Sequence, residues 1–356
     1  MTSYLSAVGT AIPPFSYSAE QVRHAGLTWL RDNAAAAALF ERFLSSSKAQ
    51  RRNFCMPIED VTAQRTISAR AAVFEEIGPQ LGVQAALSAL KDAHREPCDI
   101  GAVVFTSCSV PAIPSIDGTI VQHLGLSPTV TRVPVYQYGC AGGVAGLALA
   151  SKLAALHGPT LLISVELCSL VFQNDNHSGG HLVGAAIFAD GASTAVVEPQ
   201  APLSSSTPTL MIVDTTSHLI PDTRHLMGYD LLDDGWHLRL DRDLPAALEH
   251  VSPGILTSFC ERAFGCLPSE IDWWLFHPGG LKILTFLENL VDAAHGKAHW
   301  AREVLSEIGN ISSSSVLFVT DTFLNSAPIK DGDTVVMMGI GPGLSIELVA
   351  FKAHTS

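Results

Sequence analysis

The sequence predicts an α/β protein built from two layered halves, and three observations predict it. Short β-rich runs alternate with helical patterns on both sides of the chain, as layered α/β folds require. Hydrophobic residues make up 47% of the 356 residues and charged ones only 15%, so most elements must bury a face against another element or another subunit. Residues 198–208, rich in Pro and Ser, have the composition of a connection and place a boundary near residue 203. The expected units are therefore 1–202 and 203–356.

Taken in order, the first 14 residues lack a basic region followed by a continuous apolar core; they read as a first strand and predict no secretion. Residues 83–93 carry apolar side chains at helical spacing. The run 102–106 (Ala-Val-Val-Phe-Thr) is a strand, and 133–139 (Val-Pro-Val-Tyr-Gln-Tyr-Gly) is a second one ending in a sharp turn. Small residues over 141–156 suit a closely packed helix, and 160–164 (Thr-Leu-Leu-Ile-Ser) returns as a strand. In the second half, 273–276 (Trp-Trp-Leu-Phe) and 334–338 (Thr-Val-Val-Met-Met) are strands, with helices over 281–294 and 301–308. The stretch 133–156 is broken by Gln137, Ser151, Lys152 and several Gly, which makes it a poor membrane span.

The formal charge of −13 argues against a general nucleic-acid or anionic-membrane surface, which needs clustered Lys and Arg. The seven Cys residues (55, 98, 108, 140, 168, 260 and 266) are odd in number and form no CxxC pair. They suggest neither a disulfide framework nor a zinc site, and fit a reducing, cytoplasmic compartment.

Three residues sit in local sequences that suit chemistry. Cys140 follows a strand and opens a small-residue helix, where the helix N-terminal charge of about half an elementary unit favours thiolate. His277 ends the apolar run 271–276 and precedes Pro278-Gly279-Gly280, which breaks the strand and lets backbone approach a ligand. Asn310 lies in Gly-Asn-Ile-Ser-Ser-Ser-Ser (309–315), a turn entering a helix. Alone, such a Cys is as often a buried structural thiol, and the His and Asn could be a turn residue and a cap. Together they describe acyl transfer: a thiol nucleophile with an imidazole and an amide as oxyanion donors.

With these segments in view, the chain resembles the type III polyketide synthases, the family of chalcone and stilbene synthases and their bacterial relatives. The resemblance runs through Gly139-Cys140-Ala-Gly-Gly143, 165–173, 183–192, His277-Pro-Gly-Gly280, 302–313 and 339–347, in the family's order and over nearly the whole length. It implies the thiolase fold, two similar α/β halves stacked in five layers (αβαβα), in a homodimer. It also implies that Cys140 carries the growing chain as a thioester while His277 and Asn310 bind the thioester oxygen. Acyl-CoA starter and malonyl-CoA would be the substrates, with no metal or other cofactor.

The same resemblance makes Phe188 one aromatic gate and Trp236 the other, where relatives usually have Phe, and makes Val171 a residue that shapes the cavity. Arg42 matches a basic position that contacts CoA phosphates, with Lys48, Arg51, Arg52 and Lys282 as further candidates; a second basic position common in plant enzymes is Ser46 here. A ketoacyl-carrier-protein synthase of the initiating type uses the same three residue types, but usually with Gln-Ala-Asn after the His. Classical thiolases need a second catalytic Cys late in the chain, and none lies beyond Cys266. From another class, papain-like peptidases share the Cys, His, Asn order but not the local sequences, and a non-catalytic partner of the same fold would have little reason to keep all three residues.

Overall fold

The structure, a computed structural model, describes residues 2–63, 65–202, 207–233, 235–293 and 296–355. The expected boundary near 203 falls on residues 203–206, outside the described residues. In the first half the strands are β1 (Ser3–Ala11), β2 (Phe15–Ser18), β3 (Arg51–Phe54), β4 (Ala102–Ser107), β5 (Thr131–Tyr136), β6 (Thr160–Leu167) and β7 (Asp190–Glu198). The second half adds β8 (Thr209–Leu219), β9 (Met227–Leu232), β10 (Gly235–Leu240), β11 (Trp273–Phe276), β12 (Thr334–Gly341) and β13 (Ser345–His354).

The two halves repeat one topology. In the first, the opening strand β1 pairs antiparallel with the last, β7; β7 pairs antiparallel with β6, and β6 runs parallel to β4. In the second, β8 pairs antiparallel with the last strand β13, β13 antiparallel with β12, and β12 runs parallel to β11. A short ladder between Ser3–Leu5 of β1 and Leu210–Ile212 of β8 joins the sets into one nine-stranded sheet, β11-β12-β13-β8-β1-β7-β6-β4-β5.

Two equivalent helices lie between the sets. Helix Gly142–His157 touches β4 and β6 on one side and β12 and β13 on the other, and helix Ser315–Ser326 touches β1, β7 and β11. Outside them, helix Ile67–Asp92 covers β1, β6 and β7, and helix Leu244–Phe264 covers β8, which completes the five layers. Strands covered on both faces need apolar side chains throughout. β4, β6 and β7 accordingly have every residue buried.

The segment Gly139–His157 is long and apolar enough to cross a membrane by length and composition, but it is this central helix. Its small residues explain its position. A Cβ at Gly143 would stand 2.3 Å from the carbonyl oxygen of Ser313, and one at Gly142 would stand 2.5 Å from Thr106 Oγ1. Only glycine lets the helix start come this close both to β4 of its own half and to Ser313 of the other.

Candidate active site

β5 ends at Tyr136, and Gln137 and Gly139 then take positive φ values of 70° and 54° to turn the chain sharply. Cys140 occupies the following single 3₁₀ turn, Gly139–Ala141, which feeds straight into helix Gly142–His157. His277 is the first residue after β11, and its N–H donates to Met338 of β12 at 2.9 Å. Asn310 is held by its backbone: its N–H donates to Ile187 at 2.8 Å and its carbonyl accepts from Ala189 at 2.9 Å. These bonds bridge Asn310 to Phe188.

Cys140, His277, Asn310 and Phe188 line a single cavity of about 2030 Å³. Asn310 Oδ1 accepts from the Ser312 N–H at 2.9 Å and from Ser315 Oγ at 3.5 Å. An amide whose oxygen is occupied must present its nitrogen elsewhere. His277 is 5% exposed, and neither ring nitrogen has a protein partner among the described residues. Buried polar groups are usually paired. A buried imidazole left open on the wall of the cavity that the Asn310 amide also lines is suited to a ligand oxygen.

Electrostatics correct one expectation. Burial pushes the Cys140 thiol up to about 12, against the Ser312 hydroxyl, which favours the thiolate; the charge of Glu166 adds to the rise. Burial also lowers His277 to about 3. Burial of the thiol outweighs half a unit of helix dipole charge here. The resting pair is therefore thiol and neutral imidazole. A neutral ring still offers one N–H to a ligand oxygen.

The sequence did not single out Glu166, Cys108, Ser312 and Ser313 as site residues. Glu166, in β6, accepts from the N–H groups of Cys108 and Ser109 at 3.0–3.1 Å and from the Ser313 hydroxyl, and so ties the end of β4 to the Asn310 loop. Its burial raises its pKa. A lone carboxylate in an otherwise apolar strand was the available signal.

Trp236 is half-buried at the start of β10 and lines the cavity. Val171 does not: it lines a smaller apolar pocket behind Phe188, Tyr229 and Leu238, the three residues common to both spaces. Among the CoA candidates only Lys282 lines the cavity. Arg42, Lys48 and Arg51 are exposed and are not themselves in its lining, but Phe43, Ser46 and Ser47 beside them in the chain are, and Arg42 lies over the Phe43 ring. Arg52 is corrected outright: it is 2% exposed, donates to the Ala185 carbonyl at 2.6 Å and stacks near Phe54, with burial lowering its pKa to about 9. Its long stem belongs to the core, packed behind Gly309. The cations that do line the cavity are Arg224, Arg239, Arg242 and Lys282, with Arg239 paired to Asp230. Among the described residues no cluster of His, Cys, Asp or Glu could hold a metal ion.

Models of the N-terminal and C-terminal domains of chalcone and stilbene synthases match residues 2–201 and 211–355. The chain belongs to the chalcone and stilbene synthase family. It is 31% identical to a 1,3,6,8-tetrahydroxynaphthalene synthase of Streptomyces peucetius subsp. caesius, over 98% of this chain and 92% of that protein. It is 28% identical to a phloroglucinol synthase of Pseudomonas fluorescens, over 87% and 88% of the two chains. In structure it resembles the 1,3,6,8-tetrahydroxynaphthalene synthase of Streptomyces coelicolor A3(2), a bacterial type III polyketide synthase, with a TM-score of 0.92 and 24% identity, covering 99% of this chain and 100% of that one. The thiolase fold expected of a type III polyketide synthase is the fold observed, and family membership sets the peptidase alternative aside.

Proposed function

We propose that this type III polyketide synthase loads an acyl-CoA starter on Cys140, extends it with malonyl-CoA by decarboxylative Claisen condensation, and closes the chain to a pyrone, resorcinol or phloroglucinol-type product. The observation that carries the assignment of roles is the convergence of Cys140, His277 and Asn310 on one cavity with the last two free to donate. On loading, Cys140 gives its proton to His277 as sulfur attacks the thioester carbonyl. The CoA thiolate then leaves with that proton, so the exchange of one thioester for another is nearly isoenergetic.

Malonyl-CoA next loses carbon dioxide, and the electron pair of the broken bond becomes an enolate whose oxygen faces His277 and Asn310. Each donor would contribute about 3 kcal/mol if it behaves as other oxyanion-hole groups do. The enolate carbon attacks the acyl-Cys140 carbonyl and expels the Cys140 thiolate, giving a β-ketoacyl-CoA two carbons longer. Every step is acyl transfer or loss of carbon dioxide, so the chemistry calls for no metal or redox cofactor. Lys282, Arg224 and Arg242, the last 3.9 Å from Asp243, supply positive charge along the cavity wall for CoA phosphates, in a chain whose net charge is −13.

A homodimer is supported by an apolar surface around one sheet edge. Ile113 is 96% exposed, Tyr138 is exposed just past the end of the edge strand β5, and Leu156 is exposed on the helix that follows. Free cysteines throughout support a cytoplasmic setting. The test of function is mass spectrometry of the protein with malonyl-CoA and short, long and aromatic acyl-CoAs, with Cys140→Ala as control. Extended products that vanish with Cys140→Ala support the reading; acyl loading without extension, or no loading, overturns it.

A further inference from the structure

Gln173 lines neither the cavity nor the smaller pocket, yet it joins the elements that carry Phe188 and Trp236, both of which line the cavity. It is 4% exposed, and every polar group of its side chain is used. Its Oε1 accepts from Arg70 Nη2 at 3.1 Å, and its Nε2 donates to the Trp236 carbonyl at 3.1 Å. Its backbone N–H donates to His181 Nε2 at 3.4 Å, and His181 lies on helix Gly179–Ile187, which runs directly into Phe188. Arg70, itself 3% exposed, is fixed from below by donating to the carbonyls of Leu170 at 2.6 Å and Phe172 at 2.5 Å.

This arrangement permits one amide orientation. The oxygen must face the guanidinium, so the nitrogen must face the Trp236 carbonyl. The hairpin also runs hard against the amide: Gly235 has φ 135°, and a Cβ there would stand 2.5 Å from Gln173 Nε2. A side chain at position 235 would press on that amide, at a φ that favours glycine.

We propose that Gln173 is a positioning residue that sets the spacing of Phe188 and Trp236 across the cavity, and through it the length of acyl chain the enzyme accepts. The proposal rests on the polyketide synthase reading above. Gln173→Glu keeps the acceptor for Arg70 but turns a second acceptor toward the Trp236 carbonyl, so β10 must move away. Gln173→Met keeps the volume and loses both bonds.

The test compares these two variants and Trp236→Ala with the unaltered enzyme, measuring carbon dioxide release from malonyl-CoA and products from acyl-CoA starters of graded length in the same reactions. Gln173→Glu is expected to shift the preference between short and long starters by about fivefold, the factor carried by one neutral hydrogen bond, with decarboxylation within about twofold. Combined with Trp236→Ala it should add no further shift, because both act on one contact. An unchanged preference in a folded variant overturns the proposal, as does an equal fall for every starter and for decarboxylation. If neither Gln173 variant folds, Gly235→Ala presses the same contact from the hairpin side, and the same outcomes decide. If the unaltered enzyme releases no carbon dioxide, the polyketide synthase reading has failed instead, and acyl loading on Cys140 across starter lengths judges the clamp.

Discussion

Cys108 and Cys140 share one hydroxyl: Ser312 Oγ stands 3.2 Å from Cys108 Sγ and 3.7 Å from Cys140 Sγ. Both cysteines come from the first half and the serine from the second, so this contact crosses the junction of the repeated units. The hydroxyl favours the Cys140 thiolate against burial. Ser312→Ala is therefore expected to slow alkylation of Cys140 by iodoacetamide about five- to tenfold, as loss of one hydrogen bond to a charged group would. Cys108→Ala should have the opposite sign, because it leaves the hydroxyl to Cys140 alone. Peptide mass spectrometry reads both, and equal rates in all three proteins would show that the hydroxyl does not support the thiolate.

The thiol and imidazole at rest make a second prediction. With Cys140 held up to about 12 and His277 down to about 3, the thiolate fraction should grow about tenfold per pH unit through the neutral range. Alkylation of the free enzyme should then rise steadily from about pH 6 to about pH 9. A plateau in that range would mean a standing thiolate–imidazolium pair.

How much of this was legible in the sequence depends on how local each signal is. Cys140, His277 and Asn310 each sit where a strand or turn ends, so glycine, proline and serine neighbours announce them. The repeated topology was only hinted at, because β8 and β13 pair across more than a hundred residues and no short motif records that. The place of Arg52 was hidden for the same reason. Arg52 has the composition of a surface residue, and only the packing of its stem behind Gly309 shows that it is core. Arg224 and Arg242 line the cavity because the hairpin β9–β10 folds over it, which spacing along the chain cannot reveal.

Asn310→Asp tests the oxyanion role directly. The backbone bonds to Ile187 and Ala189 remain, and one carboxylate oxygen can still accept from the Ser312 N–H. The donor is replaced by a second acceptor facing the enolate. Decarboxylation is expected to fall about 10²- to 10³-fold. Starter loading on Cys140 should fall far less, since His277 is untouched. Parallel assays of carbon dioxide release and acyl-protein mass separate the two, and equal losses in both would place Asn310 in structure rather than in the decarboxylation step.

Asp321 gives a stability prediction far from the cavity. It sits half-buried on helix Ser315–Ser326; burial first, and then the like charge of Asp92, raise its pKa from 3.8 to about 6. A carboxyl that holds its proton more tightly when folded favours the fold below pH 3.8, and that contribution is lost as pH rises through about 6. Above that value the ionised group is a cost, about 1 kcal/mol once its partial exposure is discounted. Asp321→Asn keeps an oxygen for the Asn325 amide, now 3.0 Å from Oδ1, and removes the charge. The variant should melt about 1–2 °C higher at pH 8 and no higher at pH 4. Asp92→Asn should show the same sign more weakly, since it removes only the second cause. A lower melting temperature for Asp321→Asn at pH 8 would mean that the carboxylate has a favourable partner that outweighs both.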